Sequence, residues 1–478
     1  PRSSSAASDV YKRQVIILFK KAKNIHFIGI GGIGMSGIAE LLLNLDFIIT
    51  GSDLNKSQNV NRLEAKGVKI SIGHRAGNIE NVDVVVYSSA VKQGNIEILT
   101  AKKRNIPVIR RAEMLAQLIN LKETSIAVGG THGKTTTSSM VGTVLEGSNF
   151  DPTLVVGGLV SNLNSNVKLG HGDIIVVEAD EYDRSFLALN PTIAIITNLE
   201  MEHTDCYADI EELESAFLQF CNSIPFYGEI ILCADSEPLI KLSNSIKKPV
   251  VTYGTVSNAN FRADNIIFNQ NCSEYDLLHN EKKLGKIKIN VPGKHNVLNS
   301  LAAISLGIEL GVSIDILKNS INDYNGVRRR FDIKSNNSQI MVVDDYAHHP
   351  TEVKATINAA RSGWDKNIVT VFQPHLFTRT RDFYKDFANS LFDSDHLIIS
   401  DIYPAREKPI KNISSMLIVN ELKSMGHKNI FYINDLSNLN AILDELNLDN
   451  HIVITMGAGD IWRYNEKYNA HLNEKMNQ

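Results

Sequence analysis

A lysine followed by three threonines, Lys134–Thr137, closes the glycine-rich run Gly129-Gly-Thr-His-Gly133. An ammonium and a hydroxyl in that order behind glycines can cradle phosphate. Gly130 and Gly133 tolerate positive φ, and the amides of Thr131 to Thr135 can point inward at phosphate oxygens. Lys134 can reach β- and γ-oxygens, and the Thr135 hydroxyl can ligate Mg²⁺. The run is shorter than GxxxxGK[ST], because Val128 stands where the first glycine belongs. A glycine-rich turn with a surface lysine is the alternative. The β-branched run Ser125–Val128 before it and the helix-compatible Thr135–Leu145 after it argue for the phosphate loop, and hence for ATP.

A second glycine loop, Gly29-Ile-Gly-Gly-Ile-Gly34, comes after the apolar Asn24–Ile28, and Asp53 lies nineteen residues after Gly34. The pattern fits a diphosphate at a helix N-terminus, either of NAD, with Asp53 on the ribose, or of a nucleotide sugar. Further along, the apolar Ile174–Val177 ends in Glu178-Ala-Asp180-Glu181, which places carboxylates where a hard cation wants oxygen donors. His203 and Asp205 come after another apolar run, and His203 reads equally as a ligand or as a structural histidine. Gly293–Asn299 offers amides to an adenine edge or simply opens a helix. Asp345–Pro350 (DYAHHP) and the segment from His375 to Arg379 and Arg381 each succeed an apolar strand. Guanidinium forks there suit carboxylate or phosphate, with surface ion pairs as the alternative.

The elements that must carry these residues alternate. Strands are expected at 24–28, 47–50, 68–72, 82–87 and 108–109, then at 173–177, 192–197 and 229–233. Others are expected at 340–343, 368–372, 396–399, 429–432 and 451–455, with helices between. Residues 262–290 have the period-two look of antiparallel strands, and 298–310 reads as a helix. The expected fold is α/β in three domains: an N-terminal Rossmann-like domain (15–120), a central P-loop ATPase α/β domain (121–326) and a C-terminal Rossmann-like domain (327–478). Residues 1–14 are polar and differ in texture from the rest of the chain, and they read as a translated cloning or adapter sequence.

Composition excludes several classes. The chain has 478 residues, 43% hydrophobic and 21% charged, with a net charge of −4 and no long basic block, so no nucleic-acid surface is expected. Four cysteines form no CxxC pair and read as thiols of a reducing compartment. No apolar run approaches the roughly 18 residues of a membrane span, so no membrane insertion and a cytoplasmic location are expected.

In order along the chain, GIGGIGMSGIAE (29–40), GGTHGKTTT (129–137), EADEYDRSF (178–186), EHTD (202–205), RRFD (329–332), DYAHHP (345–350), DIYPAREKP (401–409) and GAGDIW (457–462) together resemble the Mur ligase family. The first of these motifs points to an alanine-adding member. The resemblance spans about Asn24 to Trp462. It implies ATP-dependent ligation of L-alanine to the lactyl carboxylate of UDP-N-acetylmuramate through an acyl phosphate, in peptidoglycan precursor synthesis. The first domain would bind the UDP-sugar and the third would close over the site.

By the same resemblance ATP meets Gly130, Thr131, His132, Gly133, Lys134, Thr135, Thr136, Asn296, Arg330 and Asp345. Thr135 and Glu178 hold one Mg²⁺, while Glu178 and His203 bear on a second. Gly31, Gly32, Ile33, Gly34, Asp53 and Ser89 belong to the substrate set, with His375, Arg379 and Arg381. Lys134 and Arg379 carry the chemistry, and His348 is the hypothesis for the base that deprotonates the amine. Later-acting members carry a modified lysine in the segment matching 206–222, which holds no Lys here. A monomer or weak homodimer is expected. Competing readings are a ligase joining a tripeptide to the same UDP-sugar, an NAD-dependent oxidoreductase that leaves Gly129–Thr137 unexplained, and a non-catalytic nucleotide switch.

Overall fold

The computed structural model describes residues 22–160, 165–203, 206–337, 339–405, 407–446 and 448–476. The leader expected at 1–14, and Asp205, lie outside them. The chain divides into two compact units, one running to Phe261 with Leu301–Ser320 added, the other comprising Arg262–Ser300 and Ile321–Gln478.

In the first unit, β1 (Asn24–Ile28), β2 (Ile48–Asp53), β3 (Lys69–Ile72), β4 (Val84–Tyr87) and β5 (Val108–Arg110) form a parallel sheet in the order β3-β2-β1-β4-β5. The order reverses beside β1, and the glycine loop leaves the carboxyl end of that strand, where open α/β sheets bind ligands. A second sheet holds β6 (Thr124–Gly129), β7 (Thr153–Val160), β8 (Ser165–Lys168), β9 (Ile174–Glu178), β10 (Ile193–Ile196), β11 (Glu229–Cys233) and β12 (Val250–Gly254). Its order is β12-β11-β10-β6-β9-β7-β8, so β6, which feeds the phosphate loop, is flanked by β9 with the acids and by β10. Only β8 is antiparallel to its neighbour there.

The second unit carries β13 (Phe261–Asn269) from Arg262 onward, with β14 (Cys272–His279) and β15 (Lys282–Ile289), the last two antiparallel. It also carries a sheet of β16 (Asp332–Asn336), β17 (Ile340–Asp345), β18 (Asn367–Phe372), β19 (His396–Ser400), β20 (Ile430–Ile433) and β21 (His451–Met456), ordered β16-β17-β21-β18-β19-β20. Successive residues of its central strands serve opposite cores. Met341, Val343, Ile368, Ile452 and Ile454 pack on one face, and Val342, Val369, Val371 and Val453 on the other. Burial on both faces is why these strands read as unbroken apolar runs and not as alternation. It fixes the carboxyl ends of β17, β18 and β21 side by side, and DYAHHP, the segment from His375 and GAGD extend from those ends.

The helix expected at 298–310 begins earlier, at Lys294. Gly293, at φ 94, turns the chain into it, so Asn296 lies within its first turn. Among the described residues no helix is long and apolar enough to cross a membrane.

Candidate active site

The phosphate loop has the expected backbone. Gly130 sits at φ 126 and Gly133 at φ 80, and Gly133 caps the helix Lys134–Gly147. The amides behave differently from the expectation. Those of Thr131 and His132 donate to Asn198, at its carbonyl (3.3 Å) and its side-chain Oδ1 (2.8 Å). Further bonds fasten the loop to the segment after β10, among them those from Thr131 Oγ1 to the Glu200 carbonyl (3.1 Å), from Thr197 Oγ1 to the His132 carbonyl (2.5 Å) and from Asn198 Nδ2 to the same carbonyl (3.0 Å). In the helix that follows, the first-turn amides at Lys134, Thr135 and Thr136 have no intrahelical acceptor, which suits an anion at that end.

Lys134 Nζ lies 2.7 Å from Glu181 Oε2 and donates to the carbonyls of Gly130 (2.6 Å) and Thr131 (3.0 Å). Burial disfavours its charge, but Glu181 and Asp180 more than offset this and hold its pKa above the ordinary lysine value. Glu181 is likewise held low against the cost of burial by Lys134 and His203.

Glu178 keeps a raised pKa because burial outweighs its bonds from the Gly157 amide (2.6 Å) and the Thr135 hydroxyl. A half-buried carboxylate and a hydroxyl in contact, both oxygen donors, fit the Mg²⁺ expected there. His203, at φ 56, has Nε2 3.5 Å from Glu181 Oε1. Ligand atoms of Glu181, Glu202 and His203 lie within 4.8 Å of one another, a second set able to hold a cation. Burial opposes charge on His203, yet the bond to Glu181 and the nearby Glu202 raise its pKa. Sequence reasoning offers Glu181 among the three acids after β9 without choosing it, and it misses Glu202, which stands one residue before His203.

At the other glycine loop, Gly29 (φ 79) and Ile30 donate to the Ser52 carbonyl at 2.8 and 3.1 Å. Asp53 Oδ2 accepts from the Gly31 amide at 2.8 Å, so this carboxylate shapes the loop itself. A Cβ on Gly31 would fall 2.9 Å from Asp53 Oδ2, which explains the glycine. Gly32 caps the helix Ile33–Asn44, with Gly34 in its first turn beside Arg111. Arg111 in turn lies 3.6 Å from Asp180. Ser89 is exposed in the turn after β4.

In the second unit Asp345 is buried and accepts from the amides of Phe331 (2.9 Å) and Ala347 (2.8 Å) and from Thr356 Oγ1 (3.1 Å). Burial pushes its pKa up to about 6 despite Arg330. Arg330 spans the Tyr346 ring and Glu352 (3.4 Å), and the Asn296 side chain donates to the Pro292 carbonyl (2.8 Å). His348 Nδ1 lies 3.0 Å from both the Tyr346 carbonyl and Glu352 Oε2. A carbonyl can only accept, so in the neutral ring Nδ1 carries the proton and Nε2 the basic lone pair. The rings of His348 and His375 meet edge to face at 5.9 Å. Arg379 is buried on the helix Phe377–Leu391, whereas Arg381 is half exposed and forks onto the adjacent Asp382 at 2.7 and 3.0 Å. Two positions apart on a helix, the arginines cannot face one point.

Three family models match in succession. The Mur ligase family catalytic domain covers residues 24–123, the Mur ligase middle domain 128–307, and the Mur ligase glutamate ligase domain 329–459. The chain belongs to the Mur ligase family. Among Mur ligases, the UDP-N-acetylmuramate–L-alanine ligase of Desulfatibacillum aliphaticivorans is 45% identical over 95% of this chain and 99% of its own. That of Geotalea uraniireducens is 46% identical over 94% and 98%. The crystal structure of the UDP-N-acetylmuramate–alanine ligase of Thermotoga maritima superposes with a TM-score of 0.81 at 29% identity, covering 95% of this chain and 99% of that one. A murein peptide ligase from Psychrobacter arcticus, at 24% identity and a TM-score of 0.69, covers 94% and 98% and shares the fold.

Proposed function

We propose that this Mur ligase joins L-alanine to the lactyl carboxylate of UDP-N-acetylmuramate, converting ATP to ADP and phosphate. The carrying observation is identity near 45% to alanine-adding relatives over nearly the full length of both chains.

In this reading residues 15–120 bind the UDP-sugar, 121–326 the nucleotide, and 327–478 the amino acid. A carboxylate attacking a polyphosphate must overcome charge repulsion, so the chain supplies Lys134 and the first-turn amides of its helix. Magnesium, when bound, neutralises charge on the phosphoryl group. Thr135 and Glu178 would hold one ion, and His203 with Glu181 and Glu202 a second. Asn296, Arg330 and Asp345 serve the nucleotide. The acyl phosphate formed on the sugar meets an amine that must arrive unprotonated, and His348 Nε2 takes that proton. His375 and Arg379 receive the amino-acid carboxylate. The glycine loop at 29–34, held by Asp53, takes the diphosphate of the sugar. The reaction belongs in the cytoplasm, with the enzyme a monomer or weak homodimer.

The test is phosphate release with ATP and Mg²⁺, supplying UDP-N-acetylmuramate with L-alanine, L-serine, glycine or an alanine-led tripeptide. Release that needs both the UDP-sugar and L-alanine is expected. Release with the tripeptide alone moves the chain to the peptide-joining ligases, and none with any pair defeats the reading.

A further inference from the structure

The segment DIYPAREKP after β19 has no role in the chemistry above, yet it grips the residues that do. Tyr403 and His375 form an isolated parallel bridge beyond the ends of β19 and β18. The Tyr403 amide donates to the Pro374 carbonyl (2.8 Å), and its carbonyl accepts from the Leu376 amide (3.0 Å). The Tyr403 ring lies nearly parallel to that of His375, at 11° and 5.9 Å between centroids. Behind it the GAGD loop closes in, since a Cβ on Gly459 would fall 2.6 Å from the Tyr403 ring.

Four residues on, Glu407 seats its carboxylate on the first turn of the helix that bears Arg379. Oε2 accepts from the amides of Phe377 (2.6 Å) and Thr378 (3.1 Å), and Oε1 from the Thr378 hydroxyl. An internal carboxylate thus occupies the anion-seeking end of the helix. A substrate carboxylate arriving there must use side chains instead of those amides. Between the two grips sits Leu376, at φ 70 and ψ 138, a conformation left almost wholly to glycine. Strain of that kind persists only where the surroundings fix the chain, and here they fix the turn that separates His375 from Arg379.

We propose that Tyr403 and Glu407 are positioning residues for the amino-acid substrate. Tyr403 sets the plane of the His375 imidazole, and Glu407 sets the helix turn that aims Arg379, so the two side chains form a preformed carboxylate receptor. The proposal rests on the reading in which His375 and Arg379 receive that carboxylate.

The test uses the full chain and the amino acid the wild-type enzyme accepts from the panel above. Glu407→Gln and Tyr403→Ala should raise the KM for the amino acid by about tenfold or more, leaving the KM for ATP and for the UDP-sugar within about twofold. Glu407→Asp and Tyr403→Phe, which keep the charge and the stacked ring, should recover most of the loss. Equal changes in all three KM values, or none, overturn the proposal. A readout independent of turnover is the imidazole NMR resonance of His375, assigned by its loss in His375→Gln. It should shift in Tyr403→Ala and broaden in Glu407→Gln, and an unmoved resonance in both defeats the proposal even if the enzyme accepts no amino acid tested. Wild-type turnover without dependence on any amine would sink the functional reading alone.

Discussion

Lys134 and Glu181 form a buried ion pair, with Nζ 2.7 Å from Oε2 and Glu181 only 1% exposed. Removing one partner strands the other charge away from water, which costs more than the pair contributes. Lys134→Met should therefore lower unfolding stability by about 3 kcal/mol, and adding Glu181→Gln should restore much of that loss. Activity should not return with stability if Lys134 serves the phosphate as proposed; both variants should then stay about a hundredfold or more down in kcat. Urea denaturation beside steady-state rates separates the two effects. Recovery of kcat in the double variant would show that Lys134 serves the fold alone.

Gly130 has no room for a side chain. A Cβ there would lie 2.1 Å from Thr197 Oγ1, in a backbone conformation L residues rarely adopt. Gly130→Ala is expected to cost about 2 kcal/mol or more and to weaken ATP binding, as the loop pulls away from β10. Gly77→Ala is the control, since nothing lies within 4 Å of a Cβ there. Calorimetric binding of ATP with Mg²⁺ reads the difference, and equal affinity in both variants would contradict it.

Periodicity and local spacing make part of this architecture legible in the sequence. β1 and β11 fall on the expected residues because each is an apolar run buried on both faces and bounded by polar turns. β16 has no such signal. It is a polar, half-buried edge strand, Asp-Ile-Lys-Ser-Asn, whose hydrogen bonds go to β17 and whose composition says nothing of a sheet. β7 is hidden by Gly157 and Gly158 inside its run. In the site, the glycine conformations are readable, whereas Asn198, which claims two loop amides, lies 65 or more residues from them and is brought there only by the pairing of β6 with β10. The choice among Glu178, Asp180 and Glu181 is also beyond spacing. It depends on how the chain turns after β9, where Asp183 and Arg184 both sit at φ 54.

The two arginines of the third domain read alike in sequence and differ in the fold. Arg381 forks onto Asp382 at the surface, so Arg381→Ala should change stability by no more than about 0.5 kcal/mol. Its KM for the amino acid should stay near wild type. Arg379→Lys keeps the charge but loses the planar fork, and should raise that KM by about tenfold or more. Comparable effects from the two would require both side chains at the substrate.

Glu97 is fully buried beneath the first glycine loop and gathers donors from three directions. Oε2 meets Ser52 Oγ (2.6 Å), His74 Nδ1 (3.3 Å) and His26 Nε2 (3.7 Å), while Oε1 accepts from the Arg75 amide (3.2 Å) and Asn78. Burial alone would raise its pKa, but the nearby His26 imidazole and the bonds from Ser52, Asn78 and the Arg75 amide lower it to about 2. A depressed carboxylate pKa contributes stability above its unfolded value, near 4.5, and loses it as pH falls toward about 2. Glu97→Gln should thus cost about 3 kcal/mol at pH 7, with the gap to wild type narrowing between about pH 5 and pH 2. A gap that is constant across that range would mean that Glu97 acts by shape and not by charge.

Asn166 on β8 links the two sheets of the first unit at the glycine loop 29–34. Its Nδ2 donates to the Ile33 carbonyl (2.9 Å), the first residue of the helix that the loop opens, and its Oδ1 accepts from Arg62 (2.9 Å). Arg62 also lies 3.5 Å from the buried Glu40, which Lys66 approaches to 2.6 Å. Gly37, one turn further along, packs so closely that a Cβ would fall 2.7 Å from Asn166 Nδ2. Asn166→Ala removes one bond from the Ile33 carbonyl, which keeps that from Ser36 Oγ (3.0 Å), and one from Arg62, which keeps Glu40, a cost of about 1 kcal/mol. The loop would then lose its anchor to the second sheet while the glycine loop at 129–133 keeps its own bonds to Asn198. The expected signature is a higher KM for the UDP-sugar with the KM for ATP nearly unchanged. Arg62→Ala, which spares the Ile33 bond, should give a smaller rise, and a reversed order would place the anchor at Arg62.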